Sequence, residues 1–83
     1  MDYYFKESAF KEFKKFPKNI QRRILQKLDF YVSFSDPLDF SEPLIDKRFG
    51  EYRFRIGDWR VFFDLEKDKI IILDISHRKN AYR

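Results

Sequence analysis

Three arginines in one predicted β-hairpin have the type and spacing to bind phosphate. The stretch GEYRFRIGDWRVFFD, Gly50 to Asp64, predicts two strands joined by a tight turn at Gly57-Asp58. That turn places Arg55 opposite Arg60 and leaves Arg53 on the same sheet face. Like charges directly across a ladder repel, so the pattern favours an anionic ligand such as phosphate. The alternative, a solvated outer face of an antiparallel sheet, remains open at this point.

The same turn sorts the apolar residues of the hairpin onto the opposite face. Side chains alternate along a strand, so one register decides the face of every residue. The predicted cross-strand pairs on the apolar face are Ile56 with Trp59, Phe54 with Val61, and Tyr52 with Phe63.

A second group of functional side chains follows the last predicted strand. It consists of His77, Arg78, Lys79, Tyr82 and Arg83. Histidine can accept and donate a proton near neutral pH, and a tyrosine ring can stack on a base. Two alternatives are a surface histidine just past a strand end and a frayed terminal tyrosine.

These residue types suit RNA cleavage without a metal or a protein nucleophile. The RNA 2′-hydroxyl can attack its own phosphate if the protein binds the bent backbone, neutralises developing charge and transfers two protons. Arginines supply the first two functions, and His77 is the candidate for proton transfer. The sequence has no cysteine, one histidine and two glycines, which argues against a thiolate metal site and a glycine-rich phosphate loop. We expect neither a metal nor another cofactor.

Length and charge point to one small domain with a preference for polyanions. The 83 residues predict a single domain, 1–83, with 18 lysines and arginines against 14 acids. The net charge of +4 favours nucleic acid. There is no long apolar run, and the N-terminus lacks signal-peptide segments. We therefore expect a cytoplasmic protein with no membrane partner.

The order of predicted elements is β-α-α-β-β-β, an α+β fold. An aromatic strand at Tyr3 to Phe5 precedes a helix that begins near Glu7 and is ended by Pro17. A second amphipathic helix carries its apolar stripe from Ile20 to Val32, followed by a long turn-rich connection. We expect an antiparallel sheet with the helical hairpin packed on one face.

A turn at Glu66-Lys67-Asp68 joins the third predicted strand to a fourth, Lys69 to Ile75. A three-residue loop pairs Leu65 with Lys69 and places Asp74 across from Arg60, where a carboxylate can orient the guanidinium. This register sends Ile71, Leu73 and Ile75 to the core. It also leaves Arg60 on the polar face, so Arg60→Ala is expected to preserve stability.

The stretch GEYRFRIGDWRVFFDLEKDKIIILDISHRKNAYR resembles the C-terminal half of the RelE/ParE toxin superfamily, most closely its RelE-like branch. The motifs that carry the resemblance are Gly50 to Val61, His77 to Tyr82, and the entry from Phe5 to Pro17. The resemblance implies the β-α-α-β-β-β domain with its helices on one sheet face. It also implies the toxin of a type II toxin–antitoxin pair, a ribosome-dependent mRNA endonuclease held inactive by a cognate antitoxin.

The resemblance also implies roles for individual residues. Arg60 matches the strand arginine that contacts the reacting phosphate, and Arg78 and Tyr82 match the family's C-terminal arginine and tyrosine. Arg53 and Arg55 stand where a well-known member has lysines. Because arginine stays protonated and is a poor general base, His77 is expected to take the proton step.

Two other functions are compatible with the same fold. A ParE-like relative binds and inhibits DNA gyrase through protein contacts and cleaves no RNA, and a non-toxic binding module does neither. The expected partners are the antitoxin, the ribosome and mRNA. We expect the antitoxin to lie over the helices and the basic sheet face with an acidic amphipathic segment that folds on binding.

Overall fold

The structure, a computed structural model, describes residues 1–81 and has five strands and three α-helices in that part of the chain. The sheet order is β1-β5-β4-β3-β2. The elements are β1 (Asp2–Phe5), α1 (Glu7–Phe13), α2 (Lys18–Val32), β2 (Ser41–Pro43), β3 (Tyr52–Ile56), β4 (Trp59–Glu66), β5 (Lys69–His77) and α3 (Arg78–Ala81). Two 3₁₀ turns, Pro37–Phe40 and Lys47–Phe49, flank β2.

The α+β fold class is confirmed, but the sheet is mixed rather than wholly antiparallel. β1 pairs with β5 in parallel, while the other three strand pairs are antiparallel. The sequence pattern also missed β2, a three-residue strand within the long connection. This strand forms the sheet edge and ends at Pro43, a position where a missing backbone donor is tolerated.

The helices bury one stripe against the sheet. In α2 the buried residues are Gln21, Ile24, Leu28 and Tyr31. The Gln21 amide donates to the carbonyls of Lys14 and Phe16, at 3.1 and 2.9 Å, so it satisfies acceptors left open where α1 ends. Within residues 1–81 no helix is long and apolar enough to cross a membrane.

The hydrophobic core lies between these helices and one face of the sheet. Its rings include Phe13, Phe54 and Phe63, with Phe54 and Phe63 stacked at 4.4 Å between ring centroids. The strands also contribute Ile56, Val61, Ile70, Ile72 and Ile75. The opposite face of the sheet carries no helix of this core, so it is the face on which polar residues can form a site.

The predicted register of the central hairpin is confirmed. Tyr52 pairs with Phe63, Phe54 with Val61, and Arg55 with Arg60 across the Gly57-Asp58 turn. Gly57 has φ 59°, a left-handed conformation that glycine adopts without the penalty of a Cβ atom.

The predicted register between β4 and β5 is wrong. The turn has two residues, Lys67 and Asp68, so Glu66 pairs with Lys69. Lys67 supplies the left-handed conformation, with φ 55°, and a lysine gives no sequence signal for it. A register shift between Phe62 and Phe63 then leaves Leu73 without a partner in the ladder.

Two consequences follow for side chains on β5. Ile70 and Ile72 enter the core, whereas Ile71 and Leu73 are only partly buried. Asp74 pairs with Phe62 and not with Arg60, whose partner on β5 is Ser76. Only Ile75, of the three residues predicted for the core, is buried there.

We expect Gly50→Ala to lower the free energy of unfolding by about 1–3 kcal/mol, because its conformation is one that only glycine adopts readily. Gly50 has φ 120° and ψ 179°, and an added Cβ would lie 3.1 Å from the Phe63 carbonyl oxygen. Urea denaturation of the purified protein measures the change. Gly57→Asn is the matched control, since asparagine tolerates the left-handed region. The atom nearest to an added Cβ there, at 2.6 Å, is Nη2 of the exposed Arg23 side chain, which can move aside. Equal losses for both variants would contradict this explanation for Gly50.

Candidate nucleic-acid interface

The sheet surface that faces away from α1 and α2 carries Arg53, Arg55 and Arg60 on two neighbouring strands. We call this surface the arginine face. Arg55 and Arg60 are direct cross-strand partners, and Arg53 pairs with Phe62 one row along. The hairpin register therefore brings three predicted site residues together, as the alternation of the sequence implied.

A carboxylate that sequence reasoning did not include lies among these arginines. Glu42, on the edge strand β2, pairs with Arg53 at 3.2 Å and with Arg55 at 3.6 Å. Its backbone position opposite Arg53 is fixed by the β2–β3 ladder. Because one carboxylate serves two guanidiniums, it reduces their repulsion while leaving net positive charge on the surface.

The guanidinium of Arg60 is buried rather than displayed. Arg60 is only 3% exposed, and its Nη1 donates to the carbonyls of Gly57 and Trp59 at 2.9 Å each. The side chain thus curls toward the hairpin turn and holds it. The expectation that Asp74 orients Arg60 is wrong because β5 pairs in a different register. The expectation that Arg60 lies on an open polar surface is also wrong, because its guanidinium turns toward the hairpin carbonyls and is buried there.

Two arginine side chains of this region remain substantially exposed. The side chain of Arg55 is 61% exposed and that of Arg78 is 59% exposed. Arg78 begins α3 beside the hairpin turn, where its backbone N–H donates to the Asp58 carbonyl at 2.6 Å and its Nε lies 3.5 Å from Asp58 Oδ1. These two guanidiniums are more exposed than that of Arg53, whose side chain is 18% exposed.

Asp74 is the carboxylate that β5 places on the arginine face. It is exposed, pairs with Phe62 and lies next to the row of Arg60 and Ser76. The Ser76 hydroxyl donates to Asp74 Oδ2 at 2.9 Å. Sequence analysis expected Asp74 to face Arg60, and its place beside Phe62 follows from a register that the structure revealed.

The structure does not bring His77 to the arginine face. His77 pairs with Trp59. The Trp59 ring packs on Phe16, with ring centres 4.7 Å apart, and Phe16 in turn packs against the core. The imidazole meets the Trp59 ring edge-on at 5.3 Å, and its Nδ1 accepts from the Lys79 backbone N–H at 3.2 Å. The expected convergence of His77 with the arginines is therefore wrong. His77 pairs with Trp59 on the core face, whereas Arg60, the residue after Trp59, points to the opposite face.

The remaining predicted residues belong to the C-terminal segment. Lys79 lies in α3 and is exposed. Tyr82 and Arg83 lie outside the described residues, so their assignment to the site stays a prediction. Within residues 1–81, no cluster of three or more His, Cys, Asp or Glu side chains is arranged to hold a metal ion.

The outer side of α2 presents a different surface. Its exposed cations include Arg22, Arg23 and Lys27. Phe30 and Phe34 follow, 49% and 45% exposed, with their rings 5.0 Å apart. An acidic segment with apolar residues at one end would be complementary to these cations and phenylalanines. Docking of the antitoxin over the helices stays a prediction, and this is the surface on which it would dock.

The match to a family model shows that the chain is a member of the RelE/ParE toxin superfamily, and the mixed sheet with a helical hairpin on one face agrees with that assignment. Within it, the chain belongs to the family of ParE toxins of the type II toxin–antitoxin system parDE, whose model matches residues 3–82.

The same fold is found among solved structures. One match is a chain of the toxin–antitoxin complex RelBE2 from Mycobacterium tuberculosis, with a TM-score of 0.76 and 23% sequence identity. The match covers 93% of this chain and 96% of that one. No curated protein matches the chain in sequence.

We expect Glu42→Gln to strengthen binding of a short unstructured RNA, because the substitution releases Arg53 and Arg55 from their shared carboxylate. The slope of log affinity against log salt should steepen by about 0.7 for each further phosphate that the protein neutralises on a single strand. Fluorescence anisotropy across a salt series measures both quantities. The control is Glu12→Gln, which removes an exposed carboxylate paired with Lys15 on α1; an equal effect of the two variants would show that only net charge matters.

Proposed function

We propose that this chain is the toxin of a type II toxin–antitoxin pair and that it cleaves mRNA on the ribosome. The observation that carries the proposal is the arginine face, where cross-strand pairing sets Arg55 directly beside Arg60. Two cations in this position oppose stability, and a phosphate bound by the exposed Arg55, above the buried Arg60, offsets that cost. A cognate antitoxin keeps the toxin inactive until it is released.

The proposed reaction uses the RNA's own nucleophile. The 2′-oxygen attacks the adjacent phosphorus while the bond from phosphorus to the 5′-oxygen breaks, leaving a 2′,3′-cyclic phosphate and a 5′-hydroxyl. The proton of the 2′-hydroxyl passes to a base, and the departing 5′-oxygen gains a proton. Neither step consumes a cofactor, and the protein contributes position, charge and proton transfer.

Each arginine has a distinct part in this proposal. The exposed Arg55 and Arg78 contact the phosphoryl oxygens, on which negative charge builds up in the transition state. Arg60 fixes the hairpin turn through its two carbonyl contacts and adds a buried positive charge beneath the phosphate. Arg53 and Lys79 extend the positive surface along the RNA backbone, and Tyr82 and Arg83 belong to the same proposed site.

Proton acceptance falls to Asp74 rather than to His77. Asp74 is on the arginine face beside the row of Arg60, whereas His77 packs against Trp59 on the helix side. The hydrogen bond from Ser76 holds the carboxylate in place. A carboxylate positioned within reach of the 2′-hydroxyl can act as the general base.

Inhibition of DNA gyrase is the second candidate function. Two observations favour it: the matching family model is that of ParE toxins, and the one histidine does not lie with the arginines. In this case the arginine face binds an acidic protein surface. A supercoiling assay with purified gyrase and the toxin tests it, because inhibition without RNA cleavage would replace the endonuclease proposal.

Loss of Arg55 should slow cleavage strongly without loss of stability. We expect Arg55→Ala to slow cleavage by about 100-fold or more, the usual effect of removing a donor that stabilises transition-state charge. Its melting temperature should stay unchanged or rise, because the variant also relieves repulsion with Arg60. Single-turnover cleavage of ribosome-programmed mRNA, with a thermal melt of each variant, measures both. Arg22→Ala, at an exposed position of α2, is the matched control for loss of one positive charge.

Arg60→Met should lose both cleavage and stability. The burial of Arg60 reverses the sequence-based expectation of unchanged stability, since the Gly57 and Trp59 carbonyls lose their donor. A cost of about 1–3 kcal/mol is typical for leaving such groups unsatisfied. If Arg55→Ala and its control Arg22→Ala both cleave at the wild-type rate, the phosphate site proposed at Arg55 is wrong, whatever the result for Arg60→Met.

Asp74→Asn should reduce the single-turnover rate by about 100-fold, the order of magnitude typical of general-base catalysis. Binding to the ribosome should change little, because proton transfer acts on the chemical step. Asp68→Asn, in the exposed β4–β5 turn, should behave as wild type, and so should His77→Gln. Strong loss in His77→Gln with normal cleavage by Asp74→Asn would return the proton step to the histidine.

A further inference from the structure

A half-exposed phenylalanine borders the arginine face and has no part in the core. Phe49 closes the 3₁₀ turn Lys47–Phe49, just before Gly50 and β3, and it is 50% exposed. Burying half a phenylalanine ring forgoes much of the apolar stabilisation that full burial would give. Half of the Phe49 ring is therefore open to a further contact.

Hydrogen bonds between Asp46 and Arg48 cross the turn that presents Phe49. Asp46 Oδ1 accepts from the Arg48 backbone N–H at 3.0 Å, which caps the turn. The same carboxylate accepts from Arg48 Nε at 3.0 Å and from Nη2 at 2.6 Å. These hydrogen bonds lower the pKa of Asp46 to about 2 and raise the pKa of Arg48, so both stay charged across the physiological range.

The fixed guanidinium lies close to the aromatic ring. The central carbon of Arg48 is 5.7 Å from the centre of the Phe49 ring. This places a cation and an aromatic ring side by side at the surface. Arginine planes and aromatic rings are the two kinds of side chain on which unpaired bases stack.

Phe49 also lies next to the proposed phosphate site. Its ring centre is 6.2 Å from that of Phe62, and Phe62 is the direct cross-strand partner of Arg53. Arg60 lies two residues before Phe62 on the same strand and the same face. A nucleotide whose phosphate lies on the arginine face therefore has an aromatic ring at its border for a base.

The exposed aromatic residues on the other side of the molecule have a different setting. Phe30, Phe34 and Phe40 contact one another, with ring centres 5.0 to 5.9 Å apart. They form an apolar cluster at the end of α2, which suits a protein partner. A neighbouring cation does not distinguish the two surfaces, since Lys27 lies 5.7 Å from the Phe30 ring. Phe49 differs because it lies outside this cluster and borders the arginine face through Phe62, which suits a nucleic acid.

We propose that Phe49, with Arg48 beside it, stacks on an unpaired base of the RNA strand whose backbone lies across the arginine face. The inference rests on the proposed endonuclease function and adds a residue that binds a base to residues that bind phosphate. Stacking tolerates every base but is strongest for large ones, so Phe49 influences which nucleotide occupies the position beside the cleaved bond.

Two measurements on the same variants test this. The first is binding of an unstructured RNA oligonucleotide to the free toxin, and the second is single-turnover cleavage of ribosome-programmed mRNA at varied toxin concentration. Phe49→Ala should weaken RNA binding by about 5- to 100-fold, the range typical of losing one stacked base. The toxin concentration for half-maximal cleavage should rise similarly, while the rate at saturation changes less. Phe49→Trp should restore both.

Phe34→Ala is the matched control, because Phe34 is similarly exposed at 45% but lies just past α2. Unchanged RNA binding by Phe49→Ala, or equal weakening by Phe34→Ala, would overturn the stacking inference. If the wild type binds RNA through Phe49 but cleaves no mRNA, the endonuclease proposal fails and the base-binding site stands. If the wild type cleaves mRNA and Phe49→Ala equals it in both RNA binding and cleavage, the stacking inference fails and the endonuclease proposal stands.

Discussion

The register between β3 and β4 is the constraint on which both faces of the sheet depend. The Gly57-Asp58 turn pairs Phe54 with Val61 and Tyr52 with Phe63, which places these apolar side chains against the helices. A slip by one residue would exchange them for arginines, and each large apolar side chain left in water costs about 1.5–3 kcal/mol. Core burial therefore enforces the side-by-side placement of Arg55 and Arg60, although that placement is itself unfavourable.

The molecule offsets this cost in two different ways. Glu42 shares its carboxylate between Arg53 and Arg55 from the edge strand, and Arg60 is drawn beneath the surface by the carbonyls of Gly57 and Trp59. Both solutions leave the exposed guanidinium of Arg55 above a buried cation. A surface with this charge favours the binding of an anion. The contacts of Glu42 and of the two carbonyls hold its side chains in place without a ligand.

The central hairpin could be predicted from sequence because its signals are local. A glycine at the turn and strict alternation of apolar and charged residues fix the register without reference to the rest of the chain. The β4–β5 register could not be predicted, because Lys67 adopts a left-handed conformation and Leu73 is skipped in the ladder. Neither residue differs in type from an ordinary strand or turn residue. The shifted ladder places Asp74 beside Phe62 and His77 beside Trp59.

Glu42 and Phe49 escaped sequence-based prediction for another reason. Their roles depend on contacts between the long connection and β3 or β4, and no sequence period marks such contacts. The most direct test of the endonuclease proposal is cleavage of mRNA in which the nucleotide at the cut site lacks its 2′-hydroxyl. The wild-type toxin is given a ribosome programmed with either the natural mRNA or the single 2′-deoxy variant, and products are followed in single turnover. We predict cleavage of the natural mRNA to a 2′,3′-cyclic phosphate and no cleavage of the 2′-deoxy variant. Cleavage of both mRNAs, or of neither while gyrase supercoiling is inhibited, would contradict the proposed mechanism.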